Sequence, residues 1–450
     1  MTDALGRAAD LVLTGRFESH EQQTYRHVPF AIPPGVTQIH IAYDYSDQIP
    51  STPGLSGGNT LDIGLFDQQG HAAGTPGFRG WSGSDKRGFT VGRDWATPPY
   101  RPGEIESGTW FILLGAYKVG PDGLDYRVQI WLNPGLENDA PEPTMIPPGL
   151  PANLPPPAES GWLRGDLHCH TVFSDGDSWP VEVVAAAARA GLDFIAITDH
   201  NSARRPRLDH AASSRPIVIS GTETTTYGGH WNAWGVERWF EFRTPTAEAT
   251  QAAFDDALTA DALISINHPK PLGPGWEYGD LRGNHAIEVW NGPWGALNAI
   301  ALAYWEERLN AGLRTVAVGG SDTHALRSKR DRLFHPQLGS PTTWVKTEGA
   351  ASATAILDAV RRGDAFISTS PAGPQLFIDR KQDDIRVRVV GARRATLVVL
   401  SNRGSEAAHS ITEDDWETHT RLSTEATYVR AQVTDGSGNM LAVSNPIWFE

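Results

Sequence analysis

Histidines and acidic residues recur at the ends of short apolar runs in the middle of the sequence. His168 and His170 follow one such run, and Asp322 and His324 follow another. Residues i and i+2 of an extended strand point to the same face, so each pair can direct both side chains at one metal ion. Imidazole nitrogens and carboxylate oxygens suit zinc, iron or manganese. The spacing therefore predicts a metal site in which Cys169, the only cysteine, points away and is not a ligand.

Each of these pieces has a more ordinary explanation when it is taken alone. A His-x-His pair is more often packed or solvent-facing than metal-bound, and Asp199 or the SDTH run could simply cap a helix. Five such motifs occur at the ends of apolar runs, and this coincidence favours a shared metal site. In chain order the pieces contain His168 and His170, Asp199 and His200, Glu223, His268, and Asp322 and His324.

The elements that must position these residues can be predicted from sequence periodicity. Between about 161 and 370, short apolar runs alternate with helical patterns, which favours parallel strands, crossover helices and a closed or nearly closed α/β barrel. In such a barrel the strand ends meet at one mouth. Residues 1–133 alternate apolar and polar positions and predict a β-sandwich. Residues 134–160 contain nine prolines and predict an extended linker. Residues 371–450 predict a small C-terminal β domain.

Composition narrows the function classes. The chain has 450 residues, 40% of them hydrophobic, and a net charge of −15, which opposes binding to nucleic acid. No apolar run approaches the length of a membrane span, and the first residues lack a signal-peptide pattern. A single cysteine excludes an internal disulfide framework. We expect a cytoplasmic protein with a small-molecule substrate and no membrane or nucleic-acid partner, and homo-oligomer formation remains open.

Five motifs in order resemble those of the PHP (polymerase and histidinol phosphatase) domain: DLHCHTVFSDG, GLDFIAITDHN, GTETTTYGGHWNAWG, NHP and GGSDTH. The flanking IEVWNG and the final SNPIWF are more similar to its CehA/McbA branch, which contains carbaryl hydrolase. The resemblance covers about residues 161–450 and leaves the N-terminal β domain unexplained. It implies a distorted (β/α)7 barrel that binds up to three divalent metal ions.

The resemblance also implies three neighbouring ligand groups, with Glu223 bridging the first two. The groups are His168, His170, Glu223 and Asp322; Glu223, His230 and His268; and Asp175, His200 and His324. Many relatives carry a histidine at the position of Asp175, so the third site is expected to differ in affinity or metal preference. Asp199 is assigned a place behind the ligands, where it orients one of them or closes the turn.

This ligand set predicts hydrolytic chemistry. Three carboxylates facing three divalent ions leave net positive charge, which suits an anionic substrate or hydroxide. Water that bridges two such ions would be hydroxide near neutral pH and could act as the nucleophile without a separate general base. The ions would also neutralise charge that develops on the attacked group.

The identity of the substrate stays open between two hydrolytic alternatives. A phosphoesterase is the first, since this is the broader activity of the superfamily, with Arg204, Arg205 and Lys270 as candidates for holding the phosphate. A carbamate or carboxylic ester hydrolase of the carbaryl hydrolase type is the second. Its aryl group would lie against tryptophans near the motifs, which are Trp231, Trp276, Trp290 and Trp294.

A binding protein is the alternative from another class. Its N-terminal sandwich would recognise carbohydrate or a partner through an aromatic platform, for which Trp81, Trp95 and Trp110 are candidates. Core packing is the usual role of tryptophan in β domains. The intact set of ligands argues against this alternative, because a retired metal site is expected to have lost some of them.

Overall fold

The computed structural model describes residues 5–52, 54–138, 141–143, 152–204, 215–271, 274–327, 337–381, 384–421 and 425–449. Within this part of the chain, no helix is long and apolar enough to cross a membrane.

The N-terminal region is a sandwich of two four-stranded antiparallel sheets. Its strands are β1 (Leu11–Phe17), β2 (Tyr25–Ile32), β3 (Gln38–Tyr45), β4 (Thr60–Phe66), β5 (Phe78–Gly83), β6 (Gly88–Gly92), β7 (Gly108–Lys118) and β8 (Leu124–Leu132). One sheet has the order β1-β8-β3-β6 and the other β2-β7-β4-β5. Alternation decides which side chains enter the core: in β3, Ile39, Ile41, Tyr43 and Tyr45 are buried and their neighbours are not. The two inner faces share one hydrophobic core.

The central region supplies nine strands and four helices among the described residues. The strands are β9 (Trp162–Asp166), β10 (Phe194–Ile197), β11 (Ile217–Thr226), β12 (Gly229–Trp234), β13 (Leu263–Ile266), β14 (Ala286–Asn291), β15 (Val316–Gly320), β16 (Thr342–Lys346) and β17 (Ala365–Ser368). The helices are α1 (Pro180–Arg189), α2 (Ala247–Thr259), α3 (Asn298–Asn310) and α4 (Ala353–Arg362). Local signals explain their limits: α1 has proline at its start, and α4 ends at Gly363 with a φ of 79°.

The central sheet departs from a regular alternation of strand and helix. The strand order is β15-β14-β13-β12-β11-β10-β9-β16-β17. Pairing is parallel from β9 to β11 and from β13 to β15, but β12 is antiparallel to both of its neighbours. Only Tyr227 and Gly228 separate β11 from β12, which allows a hairpin and excludes the longer crossover that parallel strands need. A (β/α)7 barrel is therefore not confirmed, and helices are fewer than that architecture requires.

The sheet nevertheless curls so that its end strand approaches β16. The hydroxyl of Thr343 donates to the carbonyl oxygen of Gly319 at 2.7 Å, and the amide of Gly319 donates back to that hydroxyl at 2.9 Å. These side-chain bonds join β15 to β16, which form no backbone ladder with each other among the described residues. The curl directs the carboxyl ends of the parallel strands toward one region.

The C-terminal strands continue the central sheet. They are β18 (Gln375–Lys381), β19 (Asp384–Val390), β20 (Thr396–Ser401), β21 (Gly404–Ser410), β22 (Asp415–Arg421), β23 (Tyr428–Thr434), β24 (Met440–Ser444) and β25 (Ile447–Trp448). β24 pairs with β17, while β18, β19 and β22 form a separate sheet. The described residues of the proline-rich segment form no strand or helix. Leu136 bonds to Gln38 of the sandwich, whereas the residues from Ala152 onward contact the central region. There the amide of Ala152 donates to the carbonyl oxygen of Arg189 at 2.8 Å.

The hairpin between β11 and β12 connects the central region to the sandwich. Its turn residue Tyr227 stacks on Tyr25 with 4.8 Å between ring centroids, and its hydroxyl donates to Asp62 at 2.9 Å. Gly115 makes room for this contact, because a Cβ atom there would lie 2.1 Å from the Tyr227 hydroxyl. The sandwich is thus packed directly against an element that carries predicted ligands.

Candidate metal centre

The pairs predicted from strand spacing, His168 with His170 and Asp322 with His324, lie close together in the structure. Asp322 falls in one group with His168 and His170, whereas His324 falls in another, so the second pair does not share one group. His168 and His170 follow β9, and Asp322 follows β15 on a neighbouring part of the curled sheet. The Nε2 atoms of the two histidines are 3.1 Å apart, and Nε2 of His170 is 3.0 Å from Oδ1 of Asp322. Cys169 points to the other face, where its buried thiol donates to the carbonyl oxygen of Ala196 at 3.1 Å. The strand-face argument and the geometry thus agree on which side chains share a face.

Glu223, on β11, is fully buried at the middle of the cluster. Its Oε2 atom has imidazole nitrogens of His168, His170 and His200 at 3.2, 3.4 and 2.9 Å. None of these contacts has the geometry of a hydrogen bond, and Oε2 has no hydrogen-bond partner among the residues that the structure describes. A buried carboxylate oxygen surrounded by nitrogens but not hydrogen-bonded is what a shared cation would require.

The other oxygen of Glu223 faces a second set of groups. Its Oε1 atom lies 3.2 Å from Nδ1 of His230 and 3.3 Å from Nε2 of His268. The amide of Asn267 donates to the same oxygen at 2.9 Å. Glu223 therefore reaches both ligand groups that it was predicted to bridge, and Asn267 holds it in place.

Asp175 and His324 extend the cluster toward solvent. Oδ1 of Asp175 lies 3.3 Å from Nε2 of His324 and 3.7 Å from Nε2 of His200. The ring of His170 stacks against those of His324 and His200, with centroids 4.0 and 4.3 Å apart. Asp175 and these three histidines form one group around a common centre.

Taken together, the described residues contain three groups whose donor atoms all lie within 4.8 Å of one another. They are His168, His170, Glu223 and Asp322; His200, Glu223 and His230; and His170, Asp175, His200 and His324. The first group is the one expected from the motifs. The second contains His200 and lacks the expected His268, which lies 3.3 Å from Glu223, and the third contains His170 in addition to its expected members. The donor set is the imidazole and carboxylate mixture that divalent transition metals take.

Electrostatics prepares these side chains for a cation. Burial, together with the neighbouring rings of His324 and His200, lowers the pKa of His170 to about 3. Its imidazole is therefore neutral near pH 7 and has a lone pair to offer. Burial alone would raise the pKa of Glu223, but the surrounding imidazoles lower it well below its usual value. The carboxylates of the cluster raise the pKa of His168 and His200, so a bound metal ion would have to displace the protons from these two rings, whereas His170 offers its lone pair directly.

The backbone is left-handed at two of these positions. His268, which follows β13, has a φ of 31°, and Asp322 has a φ of 56°. Such conformations cost free energy in residues other than glycine and persist where the surroundings enforce them, commonly at functional sites. They turn each side chain toward the cluster immediately after its strand ends.

Residues 166–252 match the family described as the PHP domain. This stretch of the chain is a PHP domain. It contains six of the nine predicted ligands, and the fold brings the other three to it from beyond its end, namely His268, Asp322 and His324. No curated protein matches the chain.

Two solved structures are similar to the chain at low identity. A two-domain protein from Bacteroides vulgatus ATCC 8482, containing a predicted PHP-like metal-dependent phosphoesterase, is 18% identical, with 69% of this chain and 100% of that chain covered and a TM-score of 0.38. An amidohydrolase from Chromobacterium violaceum, with bound sulfate and no metal, is 17% identical, with 36% and 88% covered and a TM-score of 0.25. The assignment to the PHP domain depends on the match of residues 166–252 alone.

Asp199 lies behind the ligands of the PHP domain. Its carboxylate accepts from the amide and hydroxyl of Thr171 at 2.7 and 2.8 Å and from the hydroxyl of Ser174 at 2.8 Å. These bonds hold the loop that leads from His170 to Asp175. Asp199 therefore positions ligands without joining any of the three groups.

Glu288 is a functional residue that sequence reasoning missed. It is buried on β14, where Oε1 lies 3.0 Å from Nδ1 of His168 and Oε2 accepts from the amide of His268 at 3.2 Å. A carboxylate on the far nitrogen of a ligating histidine orients the ring and increases its basicity. The motif IEVWNG contains this residue, but an acid inside an apolar strand pattern has no spacing signal that links it to His168.

The basic residues predicted to hold phosphate are engaged elsewhere. The Arg204 guanidinium pairs with Glu142 at 2.8 Å and lies over the ring of Phe173. The Lys270 ammonium is buried and donates to the carbonyl oxygen of Asn291 at 3.0 Å. Arg205 lies outside the described residues. Neither Arg204 nor Lys270 lines the cavity that opens over the metal ligands.

That cavity has a volume of about 680 Å³ and lies between the PHP domain and the sandwich. Its aromatic lining among the described residues is Tyr45, Trp81, Tyr117 and Tyr227. The tryptophans expected to form an aryl pocket lie elsewhere: Trp231 and Trp290 are buried in cores, and Trp276 and Trp294 pack against those cores. Of the three tryptophans considered for a sandwich platform, Trp81 reaches the cavity, whereas Trp110 is fully buried.

Proposed function

We propose that the chain is a metal-dependent hydrolase that acts on a small-molecule ester. The observation that carries this proposal is the position of Glu223, whose two oxygens face separate sets of histidines while one of them lacks any hydrogen bond. A carboxylate in that position suits a bridge between two cations. The proximity of Asp175 and His324 to the cavity gives a substrate access to the same cluster.

The chemistry divides between the metal ions and the chain. When bound, two or three divalent ions of zinc, manganese or iron would supply hydroxide near neutral pH and Lewis acidity toward the attacked group. The chain keeps His170 neutral by burial, fixes Glu223 through Asn267 and orients His168 through Glu288. The sandwich covers one side of the cavity and so reduces the access of bulk water.

A phosphoester remains our first choice of substrate, with a phosphodiester or phosphomonoester of a small molecule equally open. Its support is the PHP domain and the positive charge that bound ions would place beside the cavity. We extend the proposal, from the motif resemblance alone, to the CehA/McbA branch and a distorted (β/α)7 architecture, and we retain the cytoplasmic location expected from composition.

A carbamate or carboxylic ester is the second candidate, and one observation favours it. Four aromatic side chains line the cavity, whereas Arg204 and Lys270, the described cations predicted to hold phosphate, do not. An aryl leaving group would find apolar surface there.

Metal content and turnover test the proposal. Purified protein should contain two or three divalent ions per chain, measured by elemental analysis. Rates with bis-p-nitrophenyl phosphate, p-nitrophenyl phosphate and 1-naphthyl N-methylcarbamate then rank the substrates. Folded, stable protein that binds no divalent ion would overturn the metal-site assignment. Metal-loaded protein that hydrolyses none of the three esters would favour the binding-protein alternative.

A further inference from the structure

The wall of the cavity opposite the metal ligands belongs to the N-terminal sandwich. Asp175, His200 and His324 line one side, while Asp62 and Arg87 line the other. A substrate held at the metal ligands therefore extends toward side chains that the PHP domain does not supply. The chemistry of that wall restricts which substrates can fill the cavity.

Arg87 is a fixed cation in this wall. It lies in the turn before β6, where its carbonyl oxygen accepts from the amide of Tyr43 at 3.0 Å. Its guanidinium donates to the hydroxyl of Tyr45 at 2.9 Å and lies 4.5 Å from the centroid of the same ring. The tyrosine contacts use one donor and one face of the guanidinium, and they hold it in a defined orientation.

Arg87 has no carboxylate within 4.0 Å among the described residues. The two acidic groups of the same wall have other contacts: Asp62 accepts from the hydroxyl of Tyr227 at 2.9 Å, and Asp85 pairs with Lys86 at 2.7 Å. Arg87 is also the one lysine or arginine among the described residues that line the cavity. Asp62 and Asp44 interact with Arg87 only beyond ion-pair distance, so the guanidinium retains donors for an anionic ligand in this concave site.

We propose that Arg87 binds an anionic group of the substrate, a carboxylate or a phosphate, at a position remote from the bond that is cleaved. This inference rests on the proposed hydrolase function and adds a requirement for substrates with a second, distal charge. The planar guanidinium matches the paired oxygens of either anion. The sandwich thereby acts as a specificity element for the metal centre.

Three diesters with a common 4-nitrophenolate leaving group test the proposal. They are 4-nitrophenyl propyl phosphate and the same diester with a carboxylate or a phosphate at the end of the propyl chain. All three diesters carry the charge of the ester phosphate, and metal-loaded wild-type protein should prefer one of the two with a charged tail over the propyl diester, by about 10- to 100-fold in kcat/KM. The preferred tail distinguishes carboxylate from phosphate. If the enzyme hydrolyses carboxylic esters instead, the same comparison is made with 4-nitrophenyl carboxylic esters that carry the same three tails.

Arg87→Ala should abolish that preference mainly through KM and leave turnover of the propyl diester, which has no tail charge, within about twofold. Arg87→Lys should retain part of the preference for a charged tail, since lysine keeps the positive charge but lacks the planar guanidinium that binds two oxygens at once. Lys86→Ala is the matched control, because Lys86 is adjacent, pairs with Asp85 and does not line the cavity. The proposal would be overturned if Arg87→Ala lowered kcat/KM equally for diesters with and without a charged tail. It would also be overturned if the wild-type enzyme showed no preference among the three diesters.

If the protein hydrolyses none of the substrates, the proposed hydrolase function fails, and this outcome is distinct from failure of the Arg87 proposal. Binding of glutarate and of propyl phosphate is then measured by calorimetry on wild-type protein and Arg87→Ala. At least tenfold weaker binding of one anion by the variant supports the role of Arg87 independently of catalysis. Identical affinities in the two proteins overturn it.

Discussion

Oε1 of Glu288 lies 3.0 Å from Nδ1 of His168, and both side chains are buried. The contact fixes the ring so that Nε2 faces Glu223 and Asp322. Glu288→Gln keeps the shape of the side chain but removes the charge that makes His168 a better ligand. We expect divalent metal affinity to fall by about 10- to 100-fold, measured by competition with a chelator, with little loss of folded structure. Unchanged affinity in Glu288→Gln would contradict an orienting role for this carboxylate.

Removal of Glu223 should have a larger effect on the metal centre. Glu223→Ala deletes both oxygens that face the histidines, so at least two ions lose a ligand together. We expect the variant to retain fewer than half of the wild-type metal ions and no measurable hydrolysis. Cys169→Ser is the matched control, since Cys169 lies on the opposite face of the strand and contacts Ala196. Loss of metal in the serine variant would refute the strand-face argument.

Asp175 should affect one ion rather than several. It contacts His324 and His200 at the cavity edge, and only one of the three groups contains it. Asp175→Ala should lower the metal content by one ion per chain, whereas Asp175→His should restore the stoichiometry with a different affinity order among zinc, manganese and iron. Elemental analysis after dialysis against each metal measures both. A full complement of ions in Asp175→Ala would show that Asp175 is not a ligand.

Sequence spacing was sufficient to place His168 and His170 on one face, because strand alternation is a local rule. The same rule excluded Cys169. Asp322 joined them only through the strand-end argument and the family resemblance, and its spacing with His324 wrongly predicted a shared group. Strand-end logic also collected Glu223, His268 and His324, although it could not show that β12 forms a hairpin with β11. Glu288 and Arg87 escaped prediction for a different reason. Their roles come from neighbours 120 and about 90 residues away in the chain, and no periodicity of either segment encodes those contacts.

The contact between Gly115 and Tyr227 determines how closely the sandwich packs on the hairpin. A Cβ at position 115 would lie 2.1 Å from the Tyr227 hydroxyl and 3.0 Å from Cη2 of Trp81. Gly115→Ala should therefore reduce the free energy of unfolding by about 1–3 kcal/mol. Tyr227→Phe removes the hydroxyl, so the two changes together should cost less than their sum by at least about 0.5 kcal/mol. Additive losses in urea unfolding would show that the clash is not with this hydroxyl.

Asp62 gives the sandwich interface a pH dependence of known sign. Burial raises the pKa of Asp62 from 3.8 to about 7, and the hydroxyl of Tyr227 and the charge of Arg87 only partly oppose the shift. Because the folded pKa lies above the unfolded value, the folded state binds more protons between about pH 4 and 7. Its stability contribution is complete below pH 4 and is lost as the pH rises through 7.

Asp62→Asn removes this titration while retaining an oxygen that can accept from the Tyr227 hydroxyl. Relative to wild-type protein, the variant should gain stability as the pH rises from 4 to 8, by about 4 kcal/mol at most at 1.4 kcal/mol per unit of pKa. Urea unfolding of both proteins across this range measures the difference, in which the titration of the shared metal ligands cancels. A difference that stays constant with pH would show that Asp62 titrates at its ordinary value and that burial of its carboxylate does not destabilise the interface at neutral pH.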